Sequence, residues 1–582
     1  MKNEDFSTAI AALLLGLILL AFAIRIHRLD FQSLWRDEVD AIRFAQRGLS
    51  ELAANFLEIG QNGPLYFLLL HYWIRLAGTS EFAVRFFSLA FGVLIIPLIH
   101  TFGRQLLGTR TGLLAALLVA LSPYHIWYSQ EAKMYSLVAF LALLSLYLFL
   151  LALRKDRPFL WASYVLVTSL SLYIHIFCVL MILVECLWFV LLWRAHRSTR
   201  RNASVGLACL VVPYLPIGVW QLPLLLSSSA ETGYYPYGLR EMLEILLSAF
   251  SLGLRPSGGL FSLSFFAFVF LAGLIYGKTR VAHAMIRGRR IILVFIYVFL
   301  PVTAVYLVSL RRPTFTDRYL ILILPGYYLV LACGLLAIKR RAGFLFALCL
   351  SLAVLLSLRG VWVQDHTKIK ADFRAAVQFF GSQAQEEDLV VFVMPYVRHA
   401  FFYYYPKGVH WIEPPNTNSG MSEGKVASAM EEATRGYDRA WLFLSEADFW
   451  DSRGLVEKWF EDHAERMAES KFNYIELRCY RFDPGMQTPS DAAMAAYEQA
   501  AQLSPNDPEI YVLWGEVYYD MGRYVEAAQQ YEVALGIHPY HTQAYSCLGD
   551  AYLALGQAEQ ARQVYEQAKQ SSQILEKLLS GR

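Results

Sequence analysis

Long apolar runs fill the chain between residues 7 and 358, with short polar segments between them. A helix needs about 20 apolar residues to cross the hydrocarbon core of a bilayer. About eleven runs approach that length, near residues 7–26, 82–101, 111–128, 134–153, 159–175, 177–193, 204–222, 259–277, 291–310, 319–338 and 343–358. The pattern predicts an α-helical polytopic membrane protein whose transmembrane domain occupies residues 1–358.

The first apolar run, residues 6–26, could in principle be a targeting signal. It is longer than the apolar part of a cleavable signal peptide, and no small-residue cleavage site follows it. We therefore expect this run to remain in the protein as a signal anchor.

Basic residues between the runs indicate the orientation of the chain. Cytoplasmic loops are enriched in Lys and Arg, and every second short loop is basic here: Arg104 and Arg110, Arg154 to Arg157, Arg194 to Arg201, Lys278 to Arg290, and Lys339 to Arg341. We expect a multi-pass protein of the cell (inner) membrane, with a cytoplasmic N-terminus and extracytoplasmic domains after residue 358. Arg311, Arg312 and Arg318 are exceptions on the outer side, where arginine suits phosphate binding.

Beyond residue 358 the sequence resembles that of a water-soluble protein. Residues 368–380 have the spacing of an amphipathic helix, and residues 388–394, 441–444 and 474–480 have the composition of strands. These elements predict a small α/β soluble domain over residues 359–485.

The C-terminal segment repeats with a period of 34 residues. The recurring positions are Gly515 and Gly549, Tyr518 and Tyr552, Gly522 and Gly556, Ala527 and Ala561, Tyr531 and Tyr565, and Ala534 and Ala568. Helix–turn–helix units of this length, with small residues where helices touch, resemble the tetratricopeptide repeat. We expect an α-solenoid of such repeats over residues 486–582, which would recruit a protein partner or the acceptor.

Composition narrows the classes of function. The chain is 56% hydrophobic and 17% charged, with a mean hydropathy of +0.38. Its net charge of +3 is small for its length, so we expect no nucleic-acid partner. The seven cysteines have neither CxxC nor metal-ligand spacing, which predicts no disulfide framework and no metal site.

Two adjacent carboxylates follow the first apolar run, in the sequence Leu34-Trp35-Arg36-Asp37-Glu38. A carboxylate beside the membrane surface could act as the general base that deprotonates an acceptor hydroxyl. The alternative is that the pair is solvated charge on an exposed loop.

Further polar residues interrupt the apolar pattern at the predicted outer surface. Glu131 and Lys133 lie between two runs, where charges usually have a partner or a function. Glu131 could orient a substrate and Lys133 could contact a phosphate, although a structural ion pair between them is an equal alternative. His175 also interrupts an apolar stretch, and by itself it is more typical of an interfacial histidine than of a catalytic one.

Several motifs together carry a family resemblance. They are Trp35-Arg36-Asp37-Glu38, Asn62-Gly63-Pro64-Leu65-Tyr66, Tyr128-Ser129-Gln130-Glu131-Ala132-Lys133-Met134-Tyr135, Tyr173-Ile174-His175 and Asp317-Arg318-Tyr319. In this order and spacing they resemble the GT-C membrane glycosyltransferases, and more narrowly the bacterial relatives of protein O-mannosyltransferases and aminoarabinose transferases. The resemblance covers about residues 1–400.

The resemblance implies an inverting transfer of a hexosyl or pentosyl group from a polyprenyl-phosphate sugar to a glycan, lipid or protein acceptor at the outer membrane surface. It implies catalytic residues Asp37, as the base, and Glu38, in support. The substrate-binding residues that it implies are Glu131, Lys133, Tyr135, His175, Arg318 and Tyr319. The scheme requires no metal and no cofactor.

This sequence departs from the family pattern at two motifs. Lys133 stands where arginine is common, which keeps the charge but loses the bidentate fork. Asn62-Gly63-Pro64 replaces a motif with a histidine and two prolines, which weakens a substrate role for that turn.

Two other classes of function remain as alternatives. A transporter or flippase of lipid-linked sugars would also have many spans and buried charges, but the inverted repeats typical of transporters are not evident. A scaffold anchored by its membrane part would need far fewer spans, because one is sufficient for stable anchoring.

Overall fold

The computed structural model describes residues 2–54, 63–194, 198–213, 215, 235–254, 259–283, 285–482 and 489–579. The chain divides into two compact units, Met1–Ile369 and Lys370–Arg582. The division falls later than residue 358, because the last long apolar helix continues to His366.

The first unit is helical throughout its described parts. Its helices are α1 (Lys2–Ile26), α2 (Arg36–Gln46), α3 (Leu49–Ala54), α4 (Pro64–Ala77), α5 (Glu81–Leu107), α6 (Thr109–Ala120), α7 (Pro123–Ser129), α8 (Tyr135–Lys155), α9 (Pro158–Ile174), α10 (Val179–Leu191), α11 (Arg200–Cys209), α12 (Leu239–Leu252), α13 (Gly259–His283), α14 (Met285–Ser309), α15 (Leu324–Arg341) and α16 (Gly343–His366). Short 3-10 turns at Ile176–Cys178 and Asp317–Ile323 precede α10 and α15.

Within the described residues, six helices are long and apolar enough to span a membrane, or seven if a bent pair forms one span. The predicted runs near residues 159–175, 177–193 and 259–277 form shorter apolar helices. The run predicted at 204–222 extends into residues outside the described part. The protein is therefore a multi-pass membrane protein, and the count of eleven spans stays a prediction.

The run at residues 111–128 does not form the single straight helix that its composition predicts. Helices α6 and α7 meet at an angle of 61°. Pro123 is at the first turn of α7, and the Ser122 hydroxyl accepts a hydrogen bond from the N–H of His125, so the helix restarts there. The apolar pattern could not reveal this break because both halves are equally hydrophobic.

Arg25 stabilises the break between α6 and α7. Its guanidinium is completely buried and donates to the carbonyl oxygens of Val119 at 3.1 Å and Ala120 at 3.0 Å. These carbonyls lie at the end of α6, where helical partners are missing. Arg25 also contacts Nδ1 of His125 at 2.9 Å. One charged side chain from α1 therefore satisfies two carbonyl groups at the end of α6.

Helix α4 (Pro64–Ala77) lies in the segment between α1 and α5. Gly63 precedes it with φ +81°, a conformation that side-chain-bearing residues rarely adopt. A Cβ at this position would lie 3.1 Å from both the Ile174 carbonyl oxygen and the Met134 Cε. The turn therefore requires glycine for the close approach of α4 to neighbouring segments.

The second unit contains a five-stranded sheet followed by a helical array. The strands are β1 (Leu389–Phe392), β2 (His410–Ile412), β3 (Arg439–Leu444), β4 (Glu465–Phe472) and β5 (Ile475–Arg481), in the order β2-β1-β3-β5-β4. β1 pairs in parallel with β2 and β3, whereas β5 is antiparallel to β3 and β4. The helices are α17 (Phe373–Gln383), α18 (Arg398–Tyr404), α19 (Glu423–Thr434), α20 (Asp448–Asp451), α21 (Leu455–His463), α22 (Pro489–Leu503), α23 (Pro508–Asp520), α24 (Tyr524–Ile537), α25 (Thr542–Ala554) and α26 (Ala558–Leu579).

The three strands expected from the sequence correspond to β1, β3 and β5, which are the more buried strands of the sheet. The sequence does not reveal β2, which has three residues, or β4, whose side chains are mainly exposed. Both are edge strands, where one side of the strand has no neighbour and the apolar pattern is weak. The helix expected at residues 368–380 begins later, at Phe373, after the Asp372 side chain caps it.

Close contact between the repeat helices explains the 34-residue period. A Cβ added to Gly515 on α23 would lie 2.4 Å from Cε1 of Tyr531 on α24, and Gly549 and Tyr565 repeat the same distance on α25 and α26. Each glycine therefore packs directly against a tyrosine ring of the next helix, and this contact occurs once in each of the two repeats.

We expect Gly515→Ala to destabilise the repeats by about 1–3 kcal/mol, because the added methyl group must displace the Tyr531 ring. The matched control is Gly536→Ala on α24, where a Cβ would meet no atom within 4 Å. The rate of trypsin cleavage at Arg523 and Arg562 in the full-length protein measures the difference. Equal cleavage rates for the two variants would contradict the packing argument.

Candidate active site

The candidate site begins at α2, which carries the paired acids of the first outer loop. Trp35 is extended and precedes the helix, so Asp37 and Glu38 lie in its first turn. Carboxylates at this end of a helix are favoured by the helix dipole. The helix buries Glu38 together with Val39 and Ile42, and it leaves Asp37 partly accessible.

Asp37 is paired with arginines from two parts of the chain. Its Oδ2 lies 3.5 Å from Nη1 of Arg318, which is distant in sequence, and its Oδ1 lies 3.4 Å from Nη2 of Arg36. The side chains of Asp37 and Arg318 are 19% and 27% exposed. The pair therefore combines a carboxylate and a cation that a substrate can reach.

Aromatic side chains surround the guanidinium of Arg318. Its Cζ lies 5.7 Å from the Tyr135 ring centre and 5.9 Å from that of Tyr319. The Tyr319 ring is 4.8 Å from the imidazole of His175, which is 6.4 Å from the Tyr135 ring. Four of the predicted substrate-binding residues therefore form one cluster next to Asp37.

His175 occupies the junction between α9 and the 3-10 turn at Ile176–Cys178. It is buried, and its Nδ1 accepts the backbone N–H of Phe177 at 3.2 Å. An accepting Nδ1 places the proton of the neutral ring on Nε2. Within the part of the chain that the structure describes, Nε2 has no hydrogen-bond partner. His175 therefore supports the turn and retains one donor.

Glu38, for which we predict a role in support of the base, lies on the buried side of α2. It is completely buried, and its two oxygens accept hydrogen bonds from Nε and Nη2 of Arg85, each at 2.9 Å. The backbone N–H of Ala132 also donates to Oε1 at 2.9 Å. This geometry gives Glu38 a positioning role, because its carboxylate holds α2 against α5 and the segment before α8.

Arg85 is a functional residue that the sequence reasoning missed. Its guanidinium is fully buried and also donates to the carbonyl oxygens of Leu29, Gln32 and Ser33, at 3.1, 2.7 and 3.2 Å. The sequence did contain a signal for Arg85, because it is a charged residue inside the apolar run at residues 82–101. A charge in such a run usually has a specific partner.

Glu131 and Lys133 lie on the segment between α7 and α8. Glu131 is buried, and its Oε1 accepts the indole N–H of Trp35 at 3.0 Å, two positions before Asp37 in sequence. The Lys133 carbonyl accepts the hydroxyl of Ser88 at 2.9 Å. Burial raises the pKa of the Asp40 carboxyl on α2, and the charges of Arg43 and Lys133 partly offset this shift. The Lys133 ammonium therefore acts electrostatically on the helix that carries Asp37.

The arrangement can hold an anion and can accept a proton. Arg318 and Lys133 supply positive charge, and the exposed carboxylate of Asp37 can act as a base. Among the described residues, no group of three or more His, Cys, Asp or Glu side chains is arranged to hold a metal ion.

Comparison with known structures identifies the class of fold. The chain is similar to ArnT from Cupriavidus metallidurans in the apo state, with 12% identity, a TM-score of 0.53 and coverage of 82% of this chain and 98% of that one. The same enzyme bound to undecaprenyl phosphate has 13% identity, a TM-score of 0.51 and the same coverage. The Archaeoglobus fulgidus oligosaccharyltransferase has 12% identity and a TM-score of 0.52, covering 93% and 86% of the two chains. The protein has the fold of the GT-C membrane glycosyltransferases.

Family models add detail at the level of sequence. Residues 61–220 match the dolichyl-phosphate-mannose-protein mannosyltransferase family. Residues 491–522 and 518–573 match tetratricopeptide repeats, so the C-terminal repeats predicted from the 34-residue period are confirmed. No curated protein matches the chain. The resemblance inferred from the motifs is thereby confirmed.

We expect Glu38→Gln to destabilise the membrane unit by about 3–5 kcal/mol, because Arg85 would remain charged and buried without its anion. Asp40→Asn on the same helix is the matched control, and it should cost at most about 1 kcal/mol because the Asp40–Arg43 pair is partly exposed. Thermal unfolding of the detergent-solubilised variants measures both effects. A Glu38→Gln protein as stable as Asp40→Asn would refute the positioning role.

Proposed function

We propose that the protein is an inverting glycosyltransferase that moves a sugar from a polyprenyl-phosphate donor to an acceptor at the extracytoplasmic membrane surface. The observation that carries the proposal is the accessible Asp37–Arg318 pair, which joins a possible base to a phosphate-binding cation. The proposed orientation places the N-terminus in the cytoplasm and the domains after the last span outside.

The proposed reaction is a single displacement at the anomeric carbon. Asp37 accepts the proton of the acceptor hydroxyl as its oxygen forms the new glycosidic bond. The bond between the anomeric carbon and the phosphate oxygen breaks, and its electrons leave with the polyprenyl phosphate. Because attack and departure occur on opposite faces of the sugar, the anomeric configuration is inverted.

Arg318 has the contacts needed for the leaving group. A guanidinium has five N–H donors, so Arg318 can bind phosphate oxygens while one donor remains near Asp37. Lys133 adds a second positive charge on the neighbouring segment. Two cations stabilise the negative charge that develops on the phosphate, which is the largest demand of this reaction. The donor carries its own leaving group, so the proposed chemistry needs no metal or cofactor.

The residues around Arg318 have the hydrogen-bonding groups and apolar rings that a bound sugar requires. The Nε2–H of His175 and the hydroxyls of Tyr135 and Tyr319 are donors that sugar oxygens accept, and Glu131 can accept from a sugar hydroxyl. The Tyr135 and Tyr319 rings supply apolar faces beside Arg318. We assign these residues to substrate binding for a hexosyl or pentosyl group.

The comparisons support a polyprenyl-linked donor. One of the similar structures, ArnT, is bound to undecaprenyl phosphate, and the matching family is described by a dolichyl-phosphate sugar. We propose that the tetratricopeptide repeats bind a protein partner. A transporter of lipid-linked sugars would not require a base beside the phosphate site, so the Asp37–Arg318 pair favours a transferase over a transporter.

We expect Asp37→Asn to reduce the rate of sugar transfer at least about 1,000-fold, because the amide cannot accept the acceptor proton. Transfer of a radiolabelled sugar from polyprenyl-phosphate donors is measured in membranes with equal amounts of each variant. Asp40→Asn, on the same helix, should transfer at close to the wild-type rate. Full activity of Asp37→Asn would move the role of base to another carboxylate such as Glu131.

We expect Arg318→Gln to weaken the binding of polyprenyl phosphate about tenfold or more, because a charge-assisted contact is lost. Arg311→Gln is the control, since Arg311 is an exposed arginine on the same segment. Inhibition of transfer by added undecaprenyl phosphate gives the affinity of each variant. If both substitutions weaken inhibition equally, the effect is a general loss of positive charge and Arg318 has no specific phosphate contact.

A further inference from the structure

The strand order of the second unit creates a topological switch point. β1 lies between β2 and β3, and all three are parallel. The chain leaves β1 toward β2 on one side and returns to β3 on the other. Sheets of this type bind ligands in the crevice outside the carboxyl ends of the strands at such a point. The crevice here lies between the segments that follow β1 and β3.

Polar residues from these two segments meet at the crevice. The hydroxyl of Tyr396, just after β1, donates to Oε2 of Glu446, just after β3, at 2.9 Å. Glu446 has φ +53°, a left-handed conformation that is unfavourable for a residue with a side chain. Strained residues of this kind are concentrated at functional sites.

β2 adds an aromatic surface next to this pair. The guanidinium of Arg398, at the start of α18, lies 4.9 Å from the ring centre of Trp411 on β2. Arg398 also forms an ion pair with Glu413, the residue after β2. Trp411 is nevertheless 41% exposed, so one part of its ring remains available.

The segments after β2 and β3 are joined to each other. The indole N–H of Trp450 donates to the carbonyl of Pro414 at 2.9 Å, and the amide of Asn418 donates to the carbonyl of Asp448 at 3.0 Å. Neighbouring Phe449 is 71% exposed. Two hydrogen bonds therefore hold these segments together, and each side contributes an exposed ring, Trp411 on β2 and Phe449 after β3.

A buried hydroxyl at the same edge lacks a partner. Ser445 follows β3 directly and is 3% exposed. Its Oγ makes no hydrogen bond within the part of the chain that the structure describes. Buried polar groups are almost always hydrogen-bonded, so an exception at a switch point indicates a site for a polar ligand.

We propose that this edge, comprising Ser445, Tyr396, Glu446, Arg398, Trp411 and Glu413, binds a neutral oligosaccharide segment of the acceptor. This inference rests on the proposed transferase function. The aromatic rings offer apolar faces for sugar rings. The carboxylates, the Arg398 guanidinium and the hydroxyl groups offer acceptors and donors for sugar hydroxyls. An anionic ligand fits less well, because the edge has two carboxylates and one arginine, and Glu413 already pairs with that arginine.

The experiment measures binding of neutral oligosaccharides to the full-length protein in detergent by saturation-transfer NMR and calorimetry. The probes are linear oligomers of glucose, mannose and N-acetylglucosamine. Trp411→Ala should weaken the binding of the oligomer that the wild type prefers about tenfold. Tyr540→Ala in the repeats is the matched control, since Tyr540 is 42% exposed and Trp411 is 41% exposed.

A second variant, Glu446→Gln, keeps the shape of the edge and should also weaken binding. In transfer assays, Trp411→Ala should raise the KM for acceptor while kcat and donor affinity stay unchanged, which separates this site from the chemistry at Asp37. Absence of oligosaccharide binding by the wild type, or equal binding by Trp411→Ala and Tyr540→Ala, overturns the proposal. Binding of inorganic phosphate in place of the neutral oligomers also overturns it. None of these results bears on the proposed transferase function, which is tested separately by sugar transfer with the wild-type protein.

Discussion

The buried ion pair between Glu38 and Arg85 determines where the candidate base lies. Both side chains are fully excluded from solvent, so their desolvation is costly and only good hydrogen-bond geometry can offset it. Arg85 meets this requirement by also binding three carbonyl oxygens of residues 29–33, and Glu38 by accepting the N–H of Ala132. The first outer loop is thereby wrapped around one guanidinium. Asp37 is adjacent to Glu38 in the chain, so its position follows from an interaction in which it takes no part.

A second buried arginine, Arg25, likewise binds backbone carbonyl groups, at the bend between α6 and α7. Arg25 binds the last carbonyl groups of α6, and the chain can then turn into α7 and reach the segment that carries Glu131 and Lys133. Open carbonyl groups in an apolar environment would otherwise be strongly unfavourable. Each buried arginine thus supports an irregular part of the backbone, and the irregular parts carry the polar residues of the site. We therefore expect Arg25 and Arg85 to matter for the site although they lie outside the proposed substrate contacts.

The sequence indicated much of the site because several short motifs together resemble one family. The resemblance implied Asp37, Tyr135, His175, Arg318 and Tyr319 as site residues, and the structure places these side chains near one another. The partner of Glu38 could not be predicted because it is 47 positions away, and only the packing of α2 on α5 shows that the carboxylate is enclosed. The bend after α6 and the strands β2 and β4 were missed for a related reason. Local hydrophobicity does not report which carbonyl an arginine binds or which short strand completes a sheet edge.

Chemistry and acceptor selection are assigned here to different units, and the nature of the substrates supplies a reason. A polyprenyl phosphate is the same for many sugars, so the proposed phosphate site would distinguish donors only through the residues near Arg318 that we assign to the sugar. The proposed base, Asp37, needs a hydroxyl group and would impose little further selection, because any acceptor hydroxyl presents similar atoms to it. Selection among acceptors therefore requires contacts away from the reacting atoms, whose binding energy can be used to orient the hydroxyl. The aromatic edge beside β1 and the tetratricopeptide repeats are the two surfaces that we propose for this selection, one for a glycan and the other for a protein.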